Sequence, residues 1–295
     1  IGDDVTQVLS GATISEKRDD YSIKVRKATD STITGITYAK SSENDYDSDM
    51  IGLDFSYESD DKLTTYSIAG DYSSDVITPV DANDFNPPRV QEADKESWSM
   101  YAGLTQVVNK DLLVGIGFGS QTKQGYLSDP YKQVLIPGAL IVDSRPSERI
   151  AYTLSGRMRY FINPANAALH ADYRYFTDDW GIQSNTLDLG WYQNINEYLQ
   201  LVPFARYYSQ SSANFYSVFY DELRADGYYS TDYRLSSYGA MTYGLKANVV
   251  IEHWAFTASY ETYQSKGSLG IGGDTPYNPG LVDFSLFNVG LNYKF

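Results

Sequence analysis

Ile51-Gly52-Leu53-Asp54-Phe55-Ser56-Tyr57 sets Ile51, Leu53, Phe55 and Tyr57 on one side of an extended chain and Gly52, Asp54 and Ser56 on the other. Successive side chains of a strand point to opposite faces, so a period of two is the signature of a sheet with unlike surroundings on its two sides. The pattern recurs along the chain. Trp98, Met100, Ala102 and Leu104 oppose Ser99, Tyr101, Gly103 and Thr105, and Leu112, Val114, Ile116 and Phe118 oppose Gly115, Gly117 and Gly119. Ile150, Tyr152, Leu154, Met158 and Tyr160 oppose Thr153, Ser155, Arg157 and Arg159. Further on, Ala171 and Tyr173 oppose His170, Asp172 and Arg174; Leu187, Leu189 and Trp191 oppose Asp188 and Gly190. Leu235, Met241, Tyr243 and Leu245 are read against Arg234, Thr242 and Lys246, and Trp254, Phe256 and Tyr260 against His253, Ser259 and Glu261.

A dry core cannot lie on the polar side, because burying these charges unpaired costs several kcal/mol each (roughly) by desolvation. Inverting the sheet removes the conflict: the apolar side faces lipid and the charged side a wet lumen. Hydrocarbon offers the backbone no partners, so strands cross it only in a sheet closed on itself. The expectation is an all-β fold, a transmembrane up-and-down antiparallel β-barrel forming one domain over residues 1–295.

Fourteen strands are expected near 5–17, 20–28, 31–42, 48–59, 62–73, 96–108, 110–121, 148–162, 165–177, 181–193, 196–209, 232–248, 251–263 and 283–295; without the first two the barrel has twelve. Tight, turn-forming joints alternate with long connections at 74–95, 122–147, 210–231 and 264–282. That asymmetry predicts short turns and both termini in the periplasm and long loops outside the cell, with the short connections 43–47 and 178–180 making the outer rim uneven.

Composition supports this reading. The 295 residues carry 38 acidic against 23 basic groups and no cysteine, which excludes a disulfide scaffold and cysteine-ligated metals and argues against nucleic acid. Tyrosine supplies 28 residues, a ring suited to the boundary between lipid and water. No apolar run approaches the ~20 residues of a membrane helix.

The last stretch, Phe287-Asn288-Val289-Gly290-Leu291-Asn292-Tyr293-Lys294-Phe295, resembles the C-terminal strand of bacterial outer-membrane barrels. That resemblance implies that Tyr293 and Phe295 belong to the signal read by the barrel-assembly machinery. The whole chain resembles a bacterial outer-membrane family of unknown function, through Tyr21–Lys27, Ser42–Tyr46, Gly125–Val134, Tyr173–Ile182, Arg206–Tyr216 and Asp232–Ser237. The resemblance implies a Gram-negative outer-membrane location and carries over no catalytic residue.

Candidate site residues fall into two groups. Arg157, Arg159, Arg174, Arg206, Arg234 and Lys246, with Asp54, Asp71, Asp172, Asp188 and Glu261, are expected in the lumen as a charge-selective constriction or a salt-bridged interior. Tyr175, Asp178, Asp179, Trp180, Tyr208 and Tyr216 are candidates for a rim vestibule that stacks and hydrogen-bonds a sugar-like or small polar ligand, the alternative being loop packing and an aromatic girdle. The apolar run Val134–Val142 is expected to fold against something, with the lumen favoured over a partner or lipopolysaccharide. The acidic strings 42–49 and 81–84 read as a solvated rim rather than a calcium loop. His170 and His253 lack metal-site spacing, and Ser259 lies ~20 Å along the strand from His253, so no enzyme activity, metal or cofactor is expected. Two functions remain. One is a porin-like channel or binding barrel for small polar solutes; the alternative is a closed structural barrel that binds a surface or periplasmic protein.

Overall fold

The computed structural model describes residues 17–272 and 280–294. Thirteen strands form one antiparallel sheet in which neighbours in sequence are neighbours in space. They are β1 (Asp19–Ala28), β2 (Thr32–Ser42), β3 (Tyr46–Glu58), β4 (Thr64–Ile77), β5 (Ala93–Asn109), β6 (Leu112–Gly125), β9 (Glu148–Ile162), β10 (Ala167–Asp178), β11 (Gln183–Asn194), β12 (Leu199–Gln210), β13 (Tyr238–Ile251), β14 (Trp254–Lys266) and β15 (Phe284–Tyr293). A separate hairpin, β7 (Gln133–Ile136) and β8 (Ala139–Val142), interrupts the series between β6 and β9. The strand expected at 5–17 lies outside the described residues.

Each ladder keeps the sequence parity. Ile51 pairs with Tyr38 and Tyr72, Leu53 with Ile36 and Gly70, and Phe55 with Thr34 and Ile68, while Asp54 pairs with Gly35 and Ala69. On the apolar face Leu53 is 61% exposed and Met100 69%. A continuous surface of this kind is unstable in water and calls for an apolar surrounding. Rings gather near both ends of this face: Tyr72 against Trp98 at 4.2 Å and Phe118 against Tyr152 on one side, Tyr57 against Tyr66 and Trp254 against Tyr293 at 4.6 Å on the other.

Local chemistry fixes the short turns. In the β5–β6 joint the Asp111 amide donates to Asn109 Oδ1 at 2.9 Å, and the β9–β10 joint is a 3-10 turn over Asn163–Ala165 closed by Asn166 at φ 48. Glu252, at φ 51, turns β13 into β14. The long connections all emerge at the opposite end, together with the short 43–45 and 179–182 joints. Two sequence expectations change here. β13 begins at Tyr238, because the Asp232 side chain accepts from the Arg234 amide and winds Tyr233–Leu235 into a 3-10 turn instead of a strand. His253 accordingly sits with Glu252 in the β13–β14 turn rather than within a strand.

Glycines shape the inner face where β5 and β6 meet. Tyr101 lies across Gly103 and Gly117, so close that a Cβ on Gly117 would meet the Tyr101 hydroxyl at 2.6 Å and Ser155 Oγ at 2.8 Å. Gly117→Val is expected to cost about 1–3 kcal/mol by overpacking, read as a lower denaturant midpoint for refolding into lipid vesicles.

Candidate functional site

The inner face of β5, β6 and β9–β12 encloses a recess of about 300 Å³. Its wall includes Tyr101 and Thr105 from β5, Gly115 and Gly117 from β6, Ser155 and Arg157 from β9, Asp172 and Arg174 from β10, Thr186 and Asp188 from β11, and Arg206 from β12. Parity brings these together: Arg157 stands opposite Asp172, Asp172 opposite Asp188, and Asp188 opposite Arg206. Asp172 is shared by two guanidiniums, Arg157 Nε at 3.1 Å and Arg159 Nη2 at 2.7 Å. Asp188 meets Arg206 Nε at 3.4 Å. Arg174, between Ser155 and Thr186 in the ladders, has no ion pair among the described residues. His170 is also on the inner face, its ring 4.0 Å from that of Tyr192.

The remaining lumen candidates lie elsewhere on the same face. Asp54 receives Lys24 at 2.5 Å and Arg26 at 4.0 Å, a pairing the sequence did not expose because β1 alternates weakly. Asp71 stands opposite Gly52 and Ser99; Lys246 opposite Val202 and Ser259; Glu261 opposite Gly244 and Leu286. A second inward cluster, Asp75 with Lys95 at 3.0 Å, Ser48 and Tyr46, sits toward the long-loop end. Arg234 is a correction. It is not on the wall but in the loop between β12 and β13.

That loop and its neighbours form a packed roof. Leu235, Ala213 and Phe215 bury against Trp180 and Ile182 of the β10–β11 joint, with Leu127, Tyr216 and the inward-facing Phe176 around them. Val134, wholly buried, packs with Tyr220 and Tyr229, and the β7–β8 hairpin is bridged to this loop between Ser144 and Tyr229. The apolar run Val134–Val142 therefore finds cover in a neighbouring loop through Val134, Ile136 and Ile141, while Leu135 and Leu140 stay exposed. From below, inward-facing Gln210 donates to the Ser236 carbonyl at 2.5 Å.

Charges lock the roof. Asp232, with no exposed side-chain surface, takes Arg145 Nη2 at 3.0 Å and Arg234 Nη2 at 2.6 Å; Arg145 Nε also reaches Asp143 at 2.6 Å, and Arg234 reaches Asp129 at 2.8 Å. Burial alone would raise the Asp232 carboxyl, but Arg234 and Arg145 hold it below its usual range. Burial pushes the Tyr220 hydroxyl up to about 12, and burial with Asp45 beside it does the same to Tyr131. Tyr131 donates to Asp45 and accepts from the Val80 amide, tying the 78–92 and 126–147 loops to the β2–β3 turn.

The vestibule candidates are mostly consumed by this packing. Asp178 takes Arg149 Nε at 2.7 Å, Asp179 accepts from the Ile150 amide at 3.0 Å, and Trp180 donates to the Glu148 carbonyl at 2.8 Å. Tyr216 packs on the Trp180 cluster, while Tyr208 faces inward with its ring 5.6 Å from that of Tyr238. Tyr175 pairs with Leu154 and Asn185 on the outer face, so it joins the girdle. Tyr293 lies outward against Trp254, and Phe295 is outside the described residues. Among the described residues no three His, Cys, Asp or Glu side chains gather as a metal site.

An up-and-down sheet with an apolar outer face, a charged inner face and long loops at one end is the fold of outer-membrane β-barrels. Solved structures agree. The siderophore receptor PirA from Pseudomonas aeruginosa superposes with a TM-score of 0.56 at 12% identity, over 85% of this chain and 46% of that one. A variant of the ferric enterobactin receptor PfeA from the same species gives 0.58 at 11% identity, over 98% and 50%. The copper transporter OprC gives 0.54 at 10% identity, over 85% and 46%. The chain spans about half the length of these proteins, and at such identity the likeness is one of fold. No curated protein matches the sequence. The chain belongs to the DUF3570 family, proteins of unknown function, whose model matches residues 6–286.

Proposed function

We propose that this protein is a barrel of the Gram-negative outer membrane that binds or passes small polar solutes through its lumen, selecting them by charge and hydrogen bonding without transforming them. The observation that carries this reading is the recess on the inner face, where guanidiniums and carboxylates from four neighbouring strands converge on one space of about 300 Å³. A volume of this order suits a solute of small-molecule size. The solved barrels of similar fold include, by their descriptions, receptors for siderophores and a transporter for copper. In this reading the long loops and their roof face outward, and the short turns and the end of β15 face the periplasm. The barrel-assembly machinery reads Tyr293 and Phe295, and the outer girdle contacts lipid and lipopolysaccharide.

Planar-bilayer recording of the purified full chain tests the reading, with a stable current through folded protein as the expected result. A second reading, a closed barrel that docks a surface or periplasmic protein, draws on the packed roof. Silence in folded protein, with and without the roof opened, is what that reading requires.

A further inference from the structure

We infer that the recess is a binding site for a small carboxylate solute, centred on Arg174 and Thr186, an inference that rests on the lumen reading above and names its solute class. Two observations converge. Thr186 lines the recess and is 3% exposed, yet its Oγ1 has no hydrogen-bond partner among the described residues. Leaving a buried hydroxyl unsatisfied is costly, and native structures rarely do so without a reason such as a ligand or a water. Directly across the ladder from Thr186 stands Arg174, which unlike Arg157 and Arg206 has no carboxylate partner among the described residues.

The neighbours define what fits. Arg157 and Arg206 are already answered by Asp172 and Asp188, so their fork positions are partly occupied. Among the lining side chains Arg157, Arg174 and Arg206 outnumber Asp172 and Asp188 by one, and Arg159, which shares Asp172, adds a further positive charge beside them. That surplus favours an anion, and Arg174, the lining guanidinium with no ion pair among the described residues, offers one open fork for one carboxylate. A planar carboxylate can accept two parallel N–H donors from the Arg174 fork, and one of its oxygens can accept a hydrogen bond from the Thr186 hydroxyl once a small side-chain shift uncovers that buried atom. Asp172 and Asp188 keep lone pairs toward the same space, so hydroxyl groups on the solute would donate to them, with the Tyr101 ring as an apolar wall. A doubly charged anion fits less well, because the second charge would meet Asp172 or Asp188. The inferred solute is therefore a hydroxylated monocarboxylate small enough for about 300 Å³.

Sodium D-gluconate and D-glucitol form the test pair, since they share a six-carbon polyol chain and differ by a carboxylate. Calorimetric titration of the detergent-solubilised full chain is expected to show gluconate binding at least tenfold tighter than glucitol. Arg174→Gln, on an exposed side chain with no ion pair among the described residues, is expected to erase that preference, and Arg174→Lys to restore part of it. Thr186→Val removes the hydroxyl at nearly constant volume and should weaken gluconate several-fold while glucitol is unchanged. Equal binding of the two polyols, no binding of either, or a preference that survives Arg174→Gln in folded protein would overturn the inference. Bilayer current, recorded in parallel, separates the two levels. Current without gluconate preference sinks the carboxylate site and leaves the lumen reading standing, whereas preference without current upholds the site in a barrel that binds and does not conduct.

Discussion

Replacing Asp232 with alanine is expected to open the roof, raising bilayer current and exposing residues 211–237 to protease while the strands stay folded. The Asp232 side chain has no exposed surface and answers two guanidiniums, Arg145 and Arg234. Removing one partner of a buried ion pair costs about 3–5 kcal/mol when the charge left behind is uncompensated, and less here, because Asp143 still answers Arg145 and Asp129 still answers Arg234. Arg145, only 10% exposed, would keep Asp143 and lose its link to the 211–237 loop, so the change acts on the tie between the two segments. The same carboxylate gives the roof an acid dependence. Its folded-state pKa is lowered, so its stabilising contribution is complete above the unfolded carboxylate value of about 3.9 and is lost as pH falls through the depressed value. Current through the wild-type chain should therefore rise at the acid end, below about pH 4. In Asp232→Ala that component is absent and the current is already high at neutral pH.

Leu53→Arg is expected to impair folding into lipid by about 2–4 kcal/mol, the depth-dependent cost of a cation on the lipid face near mid-membrane. Leu53 sits centrally in β3 with Ile36 and Gly70 beside it on the outer face. Ser67→Arg, on β4 with Ser56 and Gly103 as inner-face neighbours, serves as the comparison and should shift folding by no more than about 0.5 kcal/mol. Refolding titrations of the two variants in denaturant and vesicles measure the difference. Equal costs would mean that the two faces do not meet different media.

The strands were legible because membrane and lumen impose opposite demands on successive residues. Asp172, Arg157 and Arg159 could be placed on one face from sequence alone, and the ladders bring them together. What escaped were contacts between segments distant in sequence. Trp180 and Asp178 look like a solute platform when read locally, but Glu148 and Arg149, some thirty residues earlier, claim them for packing. Arg234 continues the alternation of β13 backward, and only the Asp232 side chain, capping a turn, reveals that the strand has not begun. The β7–β8 hairpin was hidden because Val134–Ile136 and Leu140–Val142 are apolar at every position, leaving no period of two to detect. In the recess, Tyr101 was already on the polar side by parity. The exceptional status of Thr186, by contrast, depends on the absence of a partner, which no sequence pattern records.

The three carboxylates under the long loops come from two separate segments, Asp129 and Asp143 from one and Asp232 from the other, and the guanidiniums that bridge them are likewise divided. Neither segment can swing away without rupturing the bonds that hold its neighbour. The covering thus behaves as a single leaf on one latch, so access to the interior should be all-or-none, appearing in single-molecule current records as two levels with no graded intermediates.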